Sequence, residues 1–337
     1  MQTSLTPSPC VVRLNALGDV VLTTGVLLHW HRSMGTRFTM ITKQEFLPVF
    51  AGHPGVEDLI GLKGDQIKNW LHTVRHLRKE HENAMLIDLH GTARTLLLKL
   101  LWSGPTCSYS KMSLERRIFR ITRSPMLGKR LLRTNVPQRY AMALEPHHPP
   151  VEKLLPRIFL SQQELDHARD ILSGLKLDPG IVVLHPYATH PAKKWPDDSW
   201  RGLLSILDKN KLQWLVVGRS PAPLLPNDPR DLTNRTSLRE TCSLIASGSC
   251  MITNDSGPMH LATAVNTPVL GLFGPTSREW GFYPCGPADR VLFLGLDCSP
   301  CTLHGRIRCS RNFACMQTIT PARVMEELSM ILAERNS

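Results

Sequence analysis

The chain has 337 residues, 42% of them hydrophobic and 20% charged, which suits a globular protein with two cores of ordinary size. No uncharged apolar run reaches the ~18 residues that a spanning helix needs, so the sequence is not expected to cross a membrane. Forty Lys and Arg against 28 Asp and Glu leave a net charge of +12, an attraction for nucleic acid, an anionic membrane surface or a phosphorylated substrate.

Met1–Pro9 has neither a basic patch nor an apolar core, and Arg13 soon interrupts the first apolar run. A secretory signal is therefore not expected, and the reading is cytoplasmic. Nine cysteines, an odd number, then speak for reduced or metal-bound thiols rather than a disulfide framework.

Taken in order, Cys10–Leu14 reads as a short buried strand, followed by the turn Asn15–Asp19 and an apolar helix to about His31. Asp19 is either a helix cap or a carboxylate facing a ligand cleft, since ligands bind beyond the carboxyl ends of strands in open α/β sheets. Strands are predicted at Phe38–Thr42 and Ala84–Leu89, with a basic helix Gln66–His81 between them whose His72 and His76 read as a solvated face. Asp88–Gly91 leads into a helix over Ala93–Trp102. This βαβα alternation implies a parallel, doubly wound sheet.

Residues 111–133 carry eight Lys and Arg against the single acid Glu115. They form either a solvated face or a dock for an anionic acceptor or lipid headgroup, because guanidinium forks match phosphate and carboxylate oxygens. Few aromatics interleave the run, so nucleic acid is not the expected partner. The Pro-rich stretch Glu145–Pro150 marks the predicted domain boundary: 1–150, then 151–320.

The second half repeats the alternation. Strands are predicted at Ile181–Leu184, Trp214–Val217 and Cys250–Thr253, and helices at Trp200–Lys209 and Ser237–Ala246. The polar loop His185–Trp195 holds Thr189, Lys193 and Lys194. Asn254–Asp255–Ser256–Gly257–Pro258–Met259–His260 then reads as a loop opening a helix near Pro258, with Asp255 or Ser256 as N-cap types. Free backbone N–H groups and the macrodipole at such a start suit an anion, most naturally a phosphate. The glycine patterns of Rossmann dinucleotide binding and of the Walker loop are both absent.

Arg13–Thr23, Ile87–Gly91, His185–Pro186 with Lys193–Pro196, and Asn254–Ala262 with Phe273–Thr276 occur in this order. Together they resemble glycosyltransferase family 9, the bacterial ADP-heptose:lipopolysaccharide heptosyltransferases. The resemblance implies a GT-B fold of two Rossmann-like domains facing a central cleft. The N-terminal domain would bind acceptor, the C-terminal domain nucleotide sugar, and a closing helix over 321–337 would pack back on the N-terminal domain. The implied reaction is inverting, metal-independent transfer of heptose from ADP-L-glycero-D-manno-heptose to the anionic lipopolysaccharide inner core, at the inner face of the inner membrane.

Inversion needs a base for the acceptor hydroxyl, and the resemblance assigns Asp19. Charge on the departing diphosphate needs preorganised donors: Lys193, the Thr189 hydroxyl, Ser256, the amides around Gly257, Pro258 and Met259, and His260. Asp255 is assigned to sugar hydroxyls. Arg94, Arg116, Arg117 and Arg120 are candidate acceptor contacts. Two departures from the family pattern stand out: Arg219–Pro223 lacks the acidic residue that commonly holds the ribose, and Asn234 replaces a glycine.

Cys298, Cys301, Cys309 and Cys315 could close a structural zinc or iron site, while catalysis itself needs no cofactor on this reading. The competing readings are a family member with another nucleotide-sugar donor and an inactive, basic anion-binding protein.

Overall fold

Cys10–Val12 (β1) is buried on both sides and pairs in parallel with Phe38–Lys43 (β2) and Leu86–Asp88 (β4), as continuous apolar strands of covered parallel sheets do. The computed structural model describes residues 7–305 and 309–336. Most of the Met1–Pro9 leader reading, and Ser337 at the end of the predicted closing helix, lie outside those residues.

The chain divides into two units: the residues up to Lys111 with Val136–Phe159, and Met112–Asn135 with Leu160 onward. In the first, Val56–Leu62 (β3) and Thr106–Ser108 (β5) complete a parallel sheet of order β3-β2-β1-β4-β5. The helix Leu17–Met34 is apolar almost all round and buries residues from Val20 to Trp30. Gly35 ends it in the left-handed conformation at φ 67°, its N–H bonded to the His31 carbonyl, a geometry that costs glycine little.

In the second unit, Ile181–His185 (β6), Trp214–Val216 (β7), Gly248–Asn254 (β8), Val269–Phe273 (β9) and Arg290–Phe293 (β10) form a parallel sheet of order β10-β9-β8-β6-β7. Both sheets are doubly wound, and each has a point at which the strand order reverses, between β1 and β4 and between β6 and β8. Ligands of such sheets bind beyond the strand ends at that point. Two parallel-sheet α/β units of this kind constitute the GT-B class.

Two boundary expectations are corrected. The segment Met112–Asn135 belongs to the second unit, not to a 1–150 domain, because Phe119 and Leu131 bury against Trp280. The closing helix Pro321–Asn336 packs within the second unit on the helix Asp197–Lys209 and strands β8 and β10, whereas the resemblance placed it on the N-terminal domain. Its stripe Val324, Leu328, Ile331 shares one core with Trp200, Leu203 and Leu207, as an i, i+4, i+7 face must find an apolar partner.

Candidate active site

At the reversal point of the first sheet, Asp19 follows β1 and Asp88 ends β4. Asp19 sits in the first turn of Leu17–Met34, where among the described residues its Oδ2 receives a long contact from the Ala16 N–H at 3.4 Å. Its Oδ1 is held firmly: Arg13 Nη2 lies at 2.7 Å and the Tyr140 hydroxyl donates at 2.7 Å. The carboxylate is thus oriented through one oxygen while the side chain keeps 17% of its exposure. It is both a weak cap and an accessible carboxylate.

Arg13 is fixed in turn by the Leu89 carbonyl at 2.5 Å. Burial opposes its charge, but Tyr140, Asp19 and Tyr109 outweigh that and raise its pKa. Burial also lifts the Tyr140 phenol well above its ordinary range, so it remains a donor. After β4, Asp88 Oδ1 accepts from the His90 and Gly91 amides at 2.8 Å each. Burial, with Arg13 and Lys111 nearby, pushes the His90 imidazole down to about 3, leaving it neutral.

At the reversal point of the second sheet, the loop after β6 brings Lys193 and the turn after β8 brings Asp255. Lys193 Nζ lies 2.6 Å from Asp255 Oδ2, with the two side chains only 15% and 11% exposed. The Thr276 hydroxyl donates to the same oxygen at 2.6 Å. Asp255 therefore enters the structure engaged with Lys193, a pairing that separate roles for the two residues did not anticipate.

The helix Gly257–Ala264 begins one residue before the expected Pro258, with Ser256 as N-cap. Ser256 forms no side-chain cap, its hydroxyl lying instead 3.4 Å from His185 Nδ1 and 3.3 Å from Thr253 Oγ1. The amides of the first turn are consequently not capped by that side chain, which leaves the helix start suited to an anion. Met259 and His260 are buried, and Thr189 is exposed on the β6 loop. His260 lies in the first turn of the helix, its side chain buried. Trp195 is packing: it is fully buried edge-on to Trp200 and donates to the Ile319 carbonyl.

Asn254, unassigned by motif reading, ties the loop after β6 to the end of β8 at two points. Its Oδ1 accepts from the Trp195 amide at 3.0 Å and its Nδ2 donates to the Pro186 carbonyl at 2.9 Å, locking the β6 loop to the end of β8. Asn234 takes the left-handed conformation, which asparagine tolerates, at φ 64°, and its side-chain amide bonds both ways to the Ser220 backbone. No carboxylate occurs between Arg219 and Pro223; Asp231 is turned to the Leu225 and Thr233 amides.

Arg94 is exposed at the start of the helix Ala93–Leu101 in the first unit, whereas Arg116, Arg117 and Arg120 lie on Ser113–Thr122 in the second. The cysteines Cys298, Cys301, Cys309 and Cys315 influence one another electrostatically, but among the described residues no three His, Cys, Asp or Glu side chains converge as ligands of one ion. Cys301 Sγ lies beside the Pro275 carbonyl, and Cys309 Sγ accepts from the Phe313 amide. Burial, with the neighbouring cysteines, raises Cys301 and Cys315.

The family model of glycosyltransferase family 9 (heptosyltransferase) matches residues 75–308, more than half of the chain. The chain belongs to glycosyltransferase family 9. It is 27% identical over 327 residues to lipopolysaccharide heptosyltransferase 1 of Pseudomonas aeruginosa, covering 86% of this chain and 85% of that one. Similarity to lipooligosaccharide heptosyltransferase 2 of Haemophilus influenzae is partial, 35% over 102 residues, 27% of this chain and 30% of that protein. Among solved structures, Escherichia coli ADP-heptose lipopolysaccharide heptosyltransferase II superposes with a TM-score of 0.74 at 20% identity, over 98% and 100% of the two chains. This family 9 chain therefore shares the fold of those enzymes across its length.

Proposed function

We propose that this family 9 protein transfers heptose from ADP-L-glycero-D-manno-heptose, with inversion, to the anionic inner core of lipopolysaccharide. The observation that carries the reading is the Lys193–Asp255 pair beside a helix start without a side-chain cap, at the sheet's reversal point. In a family of heptosyltransferases, that arrangement supports a nucleotide diphosphate site.

The steps follow from the side chains. Asp19 Oδ2, the oxygen not fixed by Arg13 or Tyr140, takes the proton of the acceptor hydroxyl as its oxygen bonds to the anomeric carbon. The bond from that carbon to the diphosphate breaks on the opposite face, and ADP departs with the electron pair. Lys193 and the Gly257 amide at the helix start stabilise the charge gained by the leaving group, Pro258 having no N–H and the Met259 N–H donating to the Ser256 carbonyl, a role that makes a divalent metal unnecessary on this reading. Thr189 and Ser256 supply hydroxyl donors, and Asp255 takes the donor sugar once Lys193 turns to phosphate. Arg94 is the acceptor contact left in the first unit, and the acceptor would be met at the inner face of the inner membrane. Transfer insensitive to EDTA would support the metal-free assignment; loss restored by magnesium would overturn it. A structural zinc or iron at the cysteines would require those side chains to move, and less than a tenth of an equivalent of metal in purified protein would dismiss it.

Calorimetric titration with ADP, UDP, GDP and CMP tests the donor. Selective ADP binding that weakens in Lys193→Ala is expected. Binding of none of the four would refute the reading. The acid-free loop Arg219–Pro223 favours one second reading, the same fold and chemistry with a different nucleotide, which selective binding of UDP, GDP or CMP would establish.

A further inference from the structure

The hairpin of helices Ser113–Thr122 and Pro125–Leu132 has two apolar faces, of which folding uses one. Inward, Phe119 and Leu131 pack on Trp280, with the Phe119 and Trp280 rings edge to face at 6.0 Å. Gly128 lets the helices close, since a Cβ there would stand 3.0 Å from Phe119 Cε2. Arg130 pairs with Glu115 across the hairpin at 3.3 Å, and Arg123 donates to the Cys298 carbonyl at 2.8 Å. The element is anchored by these contacts rather than frayed.

Outward, Leu114, Ile118 and Ile121 recur at i, i+4 and i+7, one stripe opposite Phe119. They stand 67%, 40% and 74% exposed, and Met126 on the second helix 77%. Such a concentration of exposed aliphatic side chains on one short hairpin marks an interaction surface. Arg117 and Arg120 flank the stripe along one side. Beside Met126, a groove of about 420 Å³ is lined by Pro125, Met126, Lys129, Arg130 and Arg133. Apolar side chains bordered by cations match a bilayer surface, where aliphatic groups enter the acyl boundary and cations meet anionic headgroups.

We propose that this hairpin docks on anionic phospholipid, with Leu114, Ile118, Ile121 and Met126 inserted and Arg117 and Lys129 against phosphate. The inference rests on the reading above only in that a lipid-linked acceptor gives membrane docking its use. Arg117 and Arg120 then serve the lipid surface rather than the acceptor core.

The test is cosedimentation of the full chain with phosphatidylcholine vesicles, with and without 30 mol% phosphatidylglycerol, at about 0.1 M salt. Wild-type protein binds the anionic vesicles and not the neutral ones. Leu114→Ser/Ile118→Ser/Ile121→Ser, at exposed positions, lowers the partition by about 30-fold, and Lys129→Glu/Arg133→Glu by about tenfold. No binding by wild-type protein, equal binding to neutral vesicles, or unchanged binding by the serine variant overturns the proposal. So does a wild-type dimer in sedimentation velocity that the serine variant loses, with no vesicle binding, which would give the face to a second copy of the chain. Heptose transfer to a deacylated, water-soluble acceptor separates the two readings. Its absence from wild-type protein refutes the transferase reading and leaves vesicle binding to stand, whereas retained transfer by the serine variant confines the defect to docking.

Discussion

Lys193→Ala should weaken ADP binding by about tenfold, because it removes a cation and leaves the neighbouring carboxylate unopposed. In the folded chain Nζ lies 2.6 Å from Asp255 Oδ2 with both side chains largely buried. A diphosphate about 5 Å from each group, at an effective dielectric of ~20, interacts with each unit charge by roughly 3 kcal/mol. Water and salt at a partly open site reduce this to about 1.5 kcal/mol. Removing Lys193 loses that attraction and leaves the Asp255 repulsion unopposed, a net loss of about 1.5 kcal/mol or roughly tenfold in Kd. Lys193→Ala/Asp255→Asn should then recover about tenfold over the single variant, since only the repulsion is relieved. Calorimetry with ADP, which lacks the sugar assigned to Asp255, isolates this term. A double variant that binds as weakly as Lys193→Ala, or more weakly, would refute the shared-site argument.

Asp19→Asn should lower transfer by about 10³-fold or more while ADP affinity stays within a few fold, since the amide cannot take a proton; turnover near wild type would remove Asp19 as the base. Acid should destabilise the fold through its buried imidazoles. Burial holds His53 and His185 at about 4 and His90 at about 3, against an ordinary 6.5. Below 6.5 the unfolded chain binds protons that the folded chain refuses, so stability complete above 6.5 falls as pH drops towards 4. By pH 5 each contributes a loss of up to about 2 kcal/mol, and a urea midpoint unchanged between pH 7 and pH 5 would contradict this. Gly25→Ala should destabilise by about 3 kcal/mol despite alanine's better helix propensity, because its Cβ would stand 2.3 Å from the Leu154 carbonyl oxygen; urea unfolding measures it, and a stabilised variant would refute the close packing.

Much of the scaffold was legible in the chain. β1, β2, β4, β6, β7 and β8 are largely apolar runs, and burial on both faces is the reason for that pattern. Val56–Leu62 escaped notice because Glu57 and Asp58 break its apolar run; as an edge strand it leaves them exposed. The helix Gln162–Gly174 was announced by a capping box, Ser161 with Glu164, that motif reading passed over. The order of motifs located Asp19, Lys193 and Asp255 because each lies just beyond a strand, where local sequence and ligand position are coupled.

Tertiary structure alone decided what those residues touch. Tyr140 reaches Asp19 across 121 positions, and Thr276 reaches Asp255 across 21, through contacts that no local pattern encodes. The pairing of Lys193 with Asp255 follows from β6 lying beside β8, as does the role of Asn254 in tying their loops. The hairpin 112–135 joined the second unit because Phe119 and Leu131 found Trp280, and the closing helix stayed there because Val324, Leu328 and Ile331 found a matching core. Periodicity determines that an element has an apolar face; which distant face completes it is settled by packing of the whole chain.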